Sequence, residues 1–488
     1  MGVSLMLVVI SDLHFVDGTA GDHNVSCDAF LIWMDDVLTL AEDKKAKTLD
    51  FLFLGDIFDL IRTAKWFDVP LADRPWGDPD INEHPTTLTN ACRAKALEIL
   101  EAIATETKSH LEVLRGEHSG GRHRVAERLK ALTDGETTVR RLYVPGNHDR
   151  LYVVDSAIRK RVDELLGLTP GPITDSPSDH LYASEAHGVV ARHGHEFDVW
   201  NFEGYGRSKQ SGQYDPLDYQ RVPIGDVITT ELVVRLPMEV RDRLRAAGVR
   251  ANIVDGVYAR LQNIENVRPT TAAIPWIWYE AGAMSGSGHV PGTATPWSDT
   301  ERDAVVTIVQ EAAGAVGHDF MSLPFVRRWI REHDVWGFGW DEADKLQAIH
   351  RLLRAGFGIR GLSKFLEMAE FVQRLTGHED DPQRGAAFNE PLLASADHHY
   401  VVCGHTHQFE QVALKVVNGH EKLYLNSGTW RPRFFLADNK RDFVEWKEMT
   451  YLVFFAQDED LSGFENPPRS KGRSMLTWTG TMLKRGRP

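Results

Sequence analysis

Short apolar runs punctuate this chain at residues 5–10, 51–54, 142–144, 189–191 and 400–403, and each stops abruptly at polar residues. Their length and β-branched or aromatic content read as buried strands. Two later runs, 422–425 and 449–455, read the same way. Between the strands the apolar period changes from 2 to 3.6. That spacing predicts helices over 30–41, 91–114, 125–132, 230–247, 298–313, 341–355 and 363–375. Ser298-Asp299-Thr300-Glu301 has capping-box spacing and marks a helix start. The strand–helix–strand rhythm of residues 1–60 predicts a parallel pair with a right-handed crossover. Residues 61–90, rich in Pro, Asp and Trp, read as an irregular loop near the ends of those strands.

The fold class is therefore α/β. Residues 1–200 and 396–461 form a core in two parts, 201–395 a mainly helical insert, and 462–488 a basic, flexible tail. Six of the 13 tryptophans fall in the insert: Trp276, Trp278, Trp297, Trp329, Trp336 and Trp340. They read as its core, with a cap over the site as the sharper alternative.

Composition narrows the class. The chain is 42% hydrophobic and 26% charged over 488 residues, as expected of a globular protein with a large core. A net charge of −15 disfavours sequence-blind binding to nucleic acid or anionic membrane. Three cysteines, Cys27, Cys92 and Cys403, make no disulfide framework and suit a reducing cytoplasm. The apolar start lacks a basic n-region and reads as a strand rather than a signal peptide. No run reaches the roughly 18 to 20 residues needed to cross a bilayer.

The chemistry sits where the strands stop. Asp12-Leu13-His14, Gly55-Asp56-Ile57-Phe58-Asp59, Gly146-Asn147-His148-Asp149, His193-Gly194-His195 and Gly404-His405-Thr406-His407 follow the first five runs in order. Motifs after successive strands gather at one sheet edge, where α/β proteins bind ligands. Carboxylates, an amide and imidazoles suit divalent cations of hard or borderline character. Asp12, His14, Asp56, Asn147, His193, His405 and His407 supply about seven ligands, enough for two ions roughly 3.5 to 4 Å apart. His148, beside a ligand, is placed to handle a leaving-group proton, with Asp149 as the carboxylate that orients it. Asp59 reads as a carboxylate behind a ligand histidine, and His195 as a histidine facing substrate.

These motifs resemble those of the calcineurin-like metallophosphoesterase superfamily over residues 1–60, 140–200 and 396–457. The resemblance implies a four-layer α/β/β/α sandwich. It implies Asp12, His14, Asp56 and His407 on one metal, Asp56, Asn147, His193 and His405 on the other, and His148 as the catalytic imidazole. Two divalent ions, manganese first and iron, zinc or nickel as alternatives, would be the cofactor.

Within the superfamily, Gly55–Leu60, the stretch His193-Gly194-His195-Glu196-Phe197-Asp198, and Asn426-Ser427-Gly428-Thr429-Trp430 resemble the branch containing UDP-2,3-diacylglucosamine pyrophosphatases. Characteristic members of that branch carry arginine where this chain has His148, and they lack an insert of this size.

The expected activity is hydrolysis of a phosphomonoester, phosphodiester or pyrophosphate, small or nucleotide-like, in the cytoplasm. Arg207, Lys209 and Arg221 are candidate phosphate contacts at the start of the insert. A nuclease of the same superfamily and a non-catalytic scaffold are the alternatives. Neither oligomeric state nor pathway is legible.

Overall fold

The computed structural model describes residues 4–21, 24–83, 88–170, 180–211, 214–268, 272–273, 276–277, 280, 297–334, 341–355, 382–437, 443–456, 459 and 475–482. The fold is mixed α/β with two mixed sheets. The first joins β1 (Leu5–Ile10), β2 (Thr48–Leu54), β3 (Thr138–Val144), β6 (Val267–Arg268), β10 (Arg433–Leu436), β11 (Phe443–Phe455) and β12 (Met475–Met482). The second joins β4 (Tyr182–Ser184), β5 (Val189–Ala191), β7 (Tyr400–Cys403), β8 (Phe409–Val417) and β9 (His420–Ser427). β1, β2 and β3 are parallel, as are β5, β7 and β9, while β11 runs antiparallel to β1.

The continuous apolar character of β1 follows from burial on both faces. Leu7 and Val9 share a core with Val402, Leu423 and Leu425 of the second sheet, so the two sheets bury side chains against each other. Met6, Val8 and Ile10 point the other way, into a core with Phe30, Trp33 and Val37 of the helix Cys27–Lys44. On the far side of the second sheet, Val401, Cys403 and Tyr424 pack with Ala387 of the helix Pro382–Phe388. Each fully buried large apolar side chain contributes about 1.5–3 kcal/mol, so these faces set the strand registers.

The five motifs sit at strand ends of two sheets rather than of one. β1, β2 and β3 present the first three, and β5 and β7 the last two. The described residues between the fourth and fifth motifs are mainly helical, with Arg235–Ala246, Ala251–Leu261, Asp299–Ser322 and Pro324–His333 among their helices. Their own core gathers Val240, Val257, Val305, Val309, Trp276 and Trp297. That core reaches the first sheet, because the Trp276 ring lies 4.6 Å from Phe434 and 5.0 Å from Phe443. Residues 267–268 even add a strand, β6, parallel to β10.

Several expectations shift. The helix expected over 91–114 is two, Asn90–Glu106 and Lys108–Arg115, joined at Thr107. There the hydroxyl donates back to the Ile103 carbonyl at 2.7 Å, a bond that bends helices. The Ser298 capping box forms, and its helix runs on to Ser322. Within the tail expected to be flexible, Met475–Met482 is a strand on β11. Its alternation of Thr477 and Thr479 with Leu476 and Trp478 is the period-2 signal that basic composition masked. The helix expected over 363–375, together with Trp278, Trp336, Trp340 and the tail's basic residues, lies outside the described residues. No helix among the described residues is long and apolar enough to cross a membrane.

Candidate metal centre

Leaving a parallel strand and turning at once toward a shared point strains the backbone. Nine described non-glycine residues have positive φ, and Asp12 (53°), His14 (45°), Asp56 (53°), His405 (71°) and His407 (62°) are five of them. Asp and His tolerate this region better than most residues, yet each instance costs on the order of 1–3 kcal/mol. Two glycines make room. Gly55 sits at φ 81°, and a Cβ there would strike the His193 ring. A Cβ on Gly404 would strike the Asp12 carboxylate. Backbone bonds then join the loops: His14 N donates to Asp56 O at 2.8 Å, and Gly404 N to His193 O at 2.9 Å.

The side chains converge. Asp12, His14 and His407 place ligand atoms within 4.8 Å of one another, as do Asp56, His193 and His405. Asp56 touches both groups, its Oδ2 lying 3.6 Å from His14 Nε2 and 3.1 Å from His193 Nε2. The Nε2 atoms of His14 and His407 are 2.9 Å apart, and Asp12 Oδ1 is 3.3 Å from the latter. Asn147 Oδ1 lies 3.1 Å from His405 Nδ1. All seven residues expected as ligands therefore meet at one place.

Three imidazoles are anchored by the nitrogen that faces away from that place. His14 Nδ1 is 3.1 Å from Asp59 Oδ2, His193 Nδ1 is 2.8 Å from the Leu54 carbonyl, and His405 Nε2 is 3.0 Å from Asp198 Oδ2. An acceptor on the outer nitrogen holds a proton there and turns the other lone pair inward, the arrangement found behind metal-binding histidines. His407 is the exception. Its Nδ1 accepts from Arg268 Nη2 at 2.5 Å.

The surrounding charges set the protonation of these rings. Burial works against an imidazolium at His193, but the Asp56 and Asp12 carboxylates outweigh it and lift the group to about 10. Burial and then the Arg268 cation push His407 down to about 3. For His148 burial again opposes the charge, while Asp59 and Asp56 raise the imidazolium well above the ordinary histidine range.

The partner of His148 is not the one expected. Its Nδ1 lies 2.8 Å from Asp59 Oδ1, and its backbone N donates to Asp56 Oδ1 at 2.9 Å. Asp149 faces the other way and accepts from the backbone N–H groups of Phe58 (3.1 Å), Ile57 (3.3 Å) and Gly146 (3.3 Å). It ties the second motif to the third. A carboxylate one residue along the chain leaves on the opposite side of the loop, whereas Asp59 arrives from the neighbouring strand end. His148 could also join His14 and Asp56 around an ion, but its Nδ1 is turned to Asp59.

His195 is buried beside the centre, its ring 5.5 Å from His193, and belongs to neither ligand group. Of the expected phosphate contacts, Arg207 pairs with Asp218, Arg221 Nη1 lies 2.9 Å from the same carboxylate, and the Lys209 side chain lies outside the described residues. Three residues were missed. Asp198 had a cue, because it closes the fourth motif at the end of His193-Gly194-His195-Glu196-Phe197-Asp198. Arg268 comes from the insert without any local signal. Arg431, directly after Trp430, is 1% exposed and lies 3.8 Å from Asp59 Oδ2 and 3.9 Å from Glu265 Oε2. No protein-family model, curated protein or solved structure matches the chain.

Proposed function

We propose that this protein is a dinuclear metal-dependent phosphoesterase of the calcineurin-like metallophosphoesterase superfamily. The observation that carries the reading is the position of Asp56, whose Oδ2 faces an imidazole of each ligand group at 3.6 and 3.1 Å. Asp12, His14, Asp56 and His407 would hold one ion, and Asp56, Asn147, His193 and His405 the other. The donor set fits, since mixed carboxylate, amide and imidazole ligands suit manganese, iron, zinc or nickel. Manganese is the first choice. The neutral Asn147 limits negative charge around the second ion. When bound, such a pair would supply an activated water and positive charge to offset the phosphoryl oxygens.

The chain's own part is positioning and proton transfer. Asp59 fixes the His148 ring through Nδ1 and stabilises its imidazolium, which leaves Nε2–H to protonate the departing oxygen. The same carboxylate holds His14, so a ligand and the acid share one anchor. The superfamily's four-layer sandwich is supported by two sheets that bury side chains against each other, with helices Cys27–Lys44 and Pro382–Phe388 on their outer faces. The substrate class is a small or nucleotide-like phosphomonoester, diester or pyrophosphate, with nucleic acid disfavoured by the net charge of −15.

Elemental analysis of purified protein, joined to assays with bis-p-nitrophenyl phosphate and a nucleotide panel, tests this. Two equivalents of transition metal and turnover that Asp56→Asn abolishes are expected. Protein loaded with each of the four metals that leaves every ester intact would refute the reading and return the chain to the scaffold alternative.

A further inference from the structure

Arg431 is buried beside Asp59, the carboxylate that stands behind both His14 and His148. All three nitrogens of its guanidinium are buried without a hydrogen-bond partner among the described residues. Native structures leave few buried donors in this state, and arginine ordinarily fills its planar fork. The backbone beneath the side chain is fixed. Thr429 Oγ1 accepts from Arg431 N at 3.2 Å and donates to the Asp12 carbonyl at 2.6 Å, and Trp430 Nε1 donates to the Thr450 carbonyl at 2.8 Å. A rigid base below an unbonded charge describes a side chain held between two attractions.

Two carboxylates supply them. Arg431 Nη1 lies 3.8 Å from Asp59 Oδ2 on the core side and 3.9 Å from Glu265 Oε2 on the insert side. Neither distance is a hydrogen bond. Asp59 Oδ2 is also the oxygen that His14 Nδ1 meets at 3.1 Å, while Oδ1 meets His148 Nδ1 at 2.8 Å and accepts from Arg62 N at 2.9 Å. A guanidinium that closed on Asp59 would make a strong charge-assisted bond and displace the imidazoles from their anchor. Glu265 draws it the other way and is itself held from three sides. Its Oε2 lies 2.8 Å from Arg62 Nη1, its Oε1 accepts from Thr229 Oγ1 at 3.1 Å, and its carbonyl accepts from Arg268 Nη1 at 2.7 Å.

We propose that Glu265 is a positioning residue of the insert, which holds Arg431 off Asp59 and so leaves that carboxylate to His14 and His148. This deepens the phosphoesterase reading and rests on it for the roles of the two histidines. The insert then takes part in building the centre. A purely structural ion pair behaves differently: losing both partners would harm the centre at least as much as losing one.

The test is a double-mutant cycle on the full chain, Glu265→Gln, Arg431→Met and the two together, with two readouts. Zinc affinity is measured by competition with a chromophoric chelator. The downfield ring N–H proton signals of His14 and His148 are followed in protein carrying isotope-labelled histidine, and are assigned by their loss in His14→Ala and His148→Ala. Glu265→Gln should weaken zinc binding by at least about tenfold, the low end for a lost outer anchor, and should shift both signals. Adding Arg431→Met should return both readouts toward wild type, because the competitor is gone, and Arg431→Met alone should leave them near wild type. Where Glu265→Gln fails to fold, Glu265→Asp withdraws the carboxylate from Arg431 and should give the same pattern at reduced amplitude. Unaltered readouts in the Glu265 variant, or a double variant no better than the single one, would overturn the proposal. Ring signals that move and recover in protein that binds no zinc would sink the metal reading and keep the positioning role. Zinc binding and ester hydrolysis that the Glu265 variant leaves untouched would do the reverse.

Discussion

The ring of His148 is held by Asp59, a carboxylate 89 positions earlier in the chain, with Nδ1 and Oδ1 2.8 Å apart. The other oxygen of Asp59 lies 3.1 Å from His14 Nδ1. Asp59→Asn should therefore damage two functions together. Loss of an outer anchor weakens metal binding or activity by about 10–100-fold, so turnover should fall at least 100-fold and metal affinity at the His14 group about tenfold. His148→Ala should lower turnover with metal content unchanged. Elemental analysis beside kinetics separates the two variants; an Asp59→Asn protein with normal metal and rate would remove Asp59 from the centre.

Asp149 should behave as a structural residue. Three backbone N–H groups lose their acceptor in Asp149→Ala, and each buried donor left unpaired costs about 1 kcal/mol or more. A loss of about 2–4 kcal/mol by thermal or urea unfolding is expected. Unaltered stability with a collapsed pH–rate profile would instead return Asp149 to the acid–base role read from its adjacency to His148.

Metal uptake should release protons. His193 is lifted to about 10, above the ordinary 6.5, so at pH 7 its metal-free form is an imidazolium with no lone pair for a metal. Affinity therefore rises with pH through neutrality, by up to tenfold per unit for one proton displaced, and the gain ends near pH 10. Calorimetric titrations in buffers of different ionisation enthalpy would count the protons. Uptake with no proton exchange between pH 6.5 and 9 would contradict the charge assignment.

In the proposed metal centre Arg268 should compete with metal for His407. By donating to Nδ1 at 2.5 Å, its guanidinium keeps the neutral ring's proton on Nε2, the nitrogen that faces His14 and Asp12. Metal binding through Nε2 must break this bond. Arg268→Leu should tighten metal binding at this group about fivefold, the equivalent of one modest hydrogen bond of about 1 kcal/mol. Weaker binding in the variant would show that Arg268 supports the ligand rather than opposing it.

Much of this centre was legible before any coordinates. A ligand's chemical type is written in its own side chain, and an apolar run that stops at Asp56 or His193 announces both a strand end and a donor. The choice of His193 over His195 came from the family resemblance, and the structure places His193 rather than His195 beside Asp56 and His405. The pairing of strands into two sheets was less legible, because residues 182–184 and 409–417 are short or half-exposed and carry little periodic signal.

The sequence by itself determined which donors exist, the strand ends that carry them and the α/β class, since these depend on neighbours a few positions apart. Only the tertiary structure decided who holds whom: Asp59 rather than Asp149 behind His148, Asp198 behind His405, and Arg268 of the insert against His407. Those partners lie 89, 207 and 139 positions away in the chain. A hydrogen bond forms when packing brings two atoms to about 3 Å, and the apolar faces that do the packing carry no local mark of which polar groups will meet at their edges.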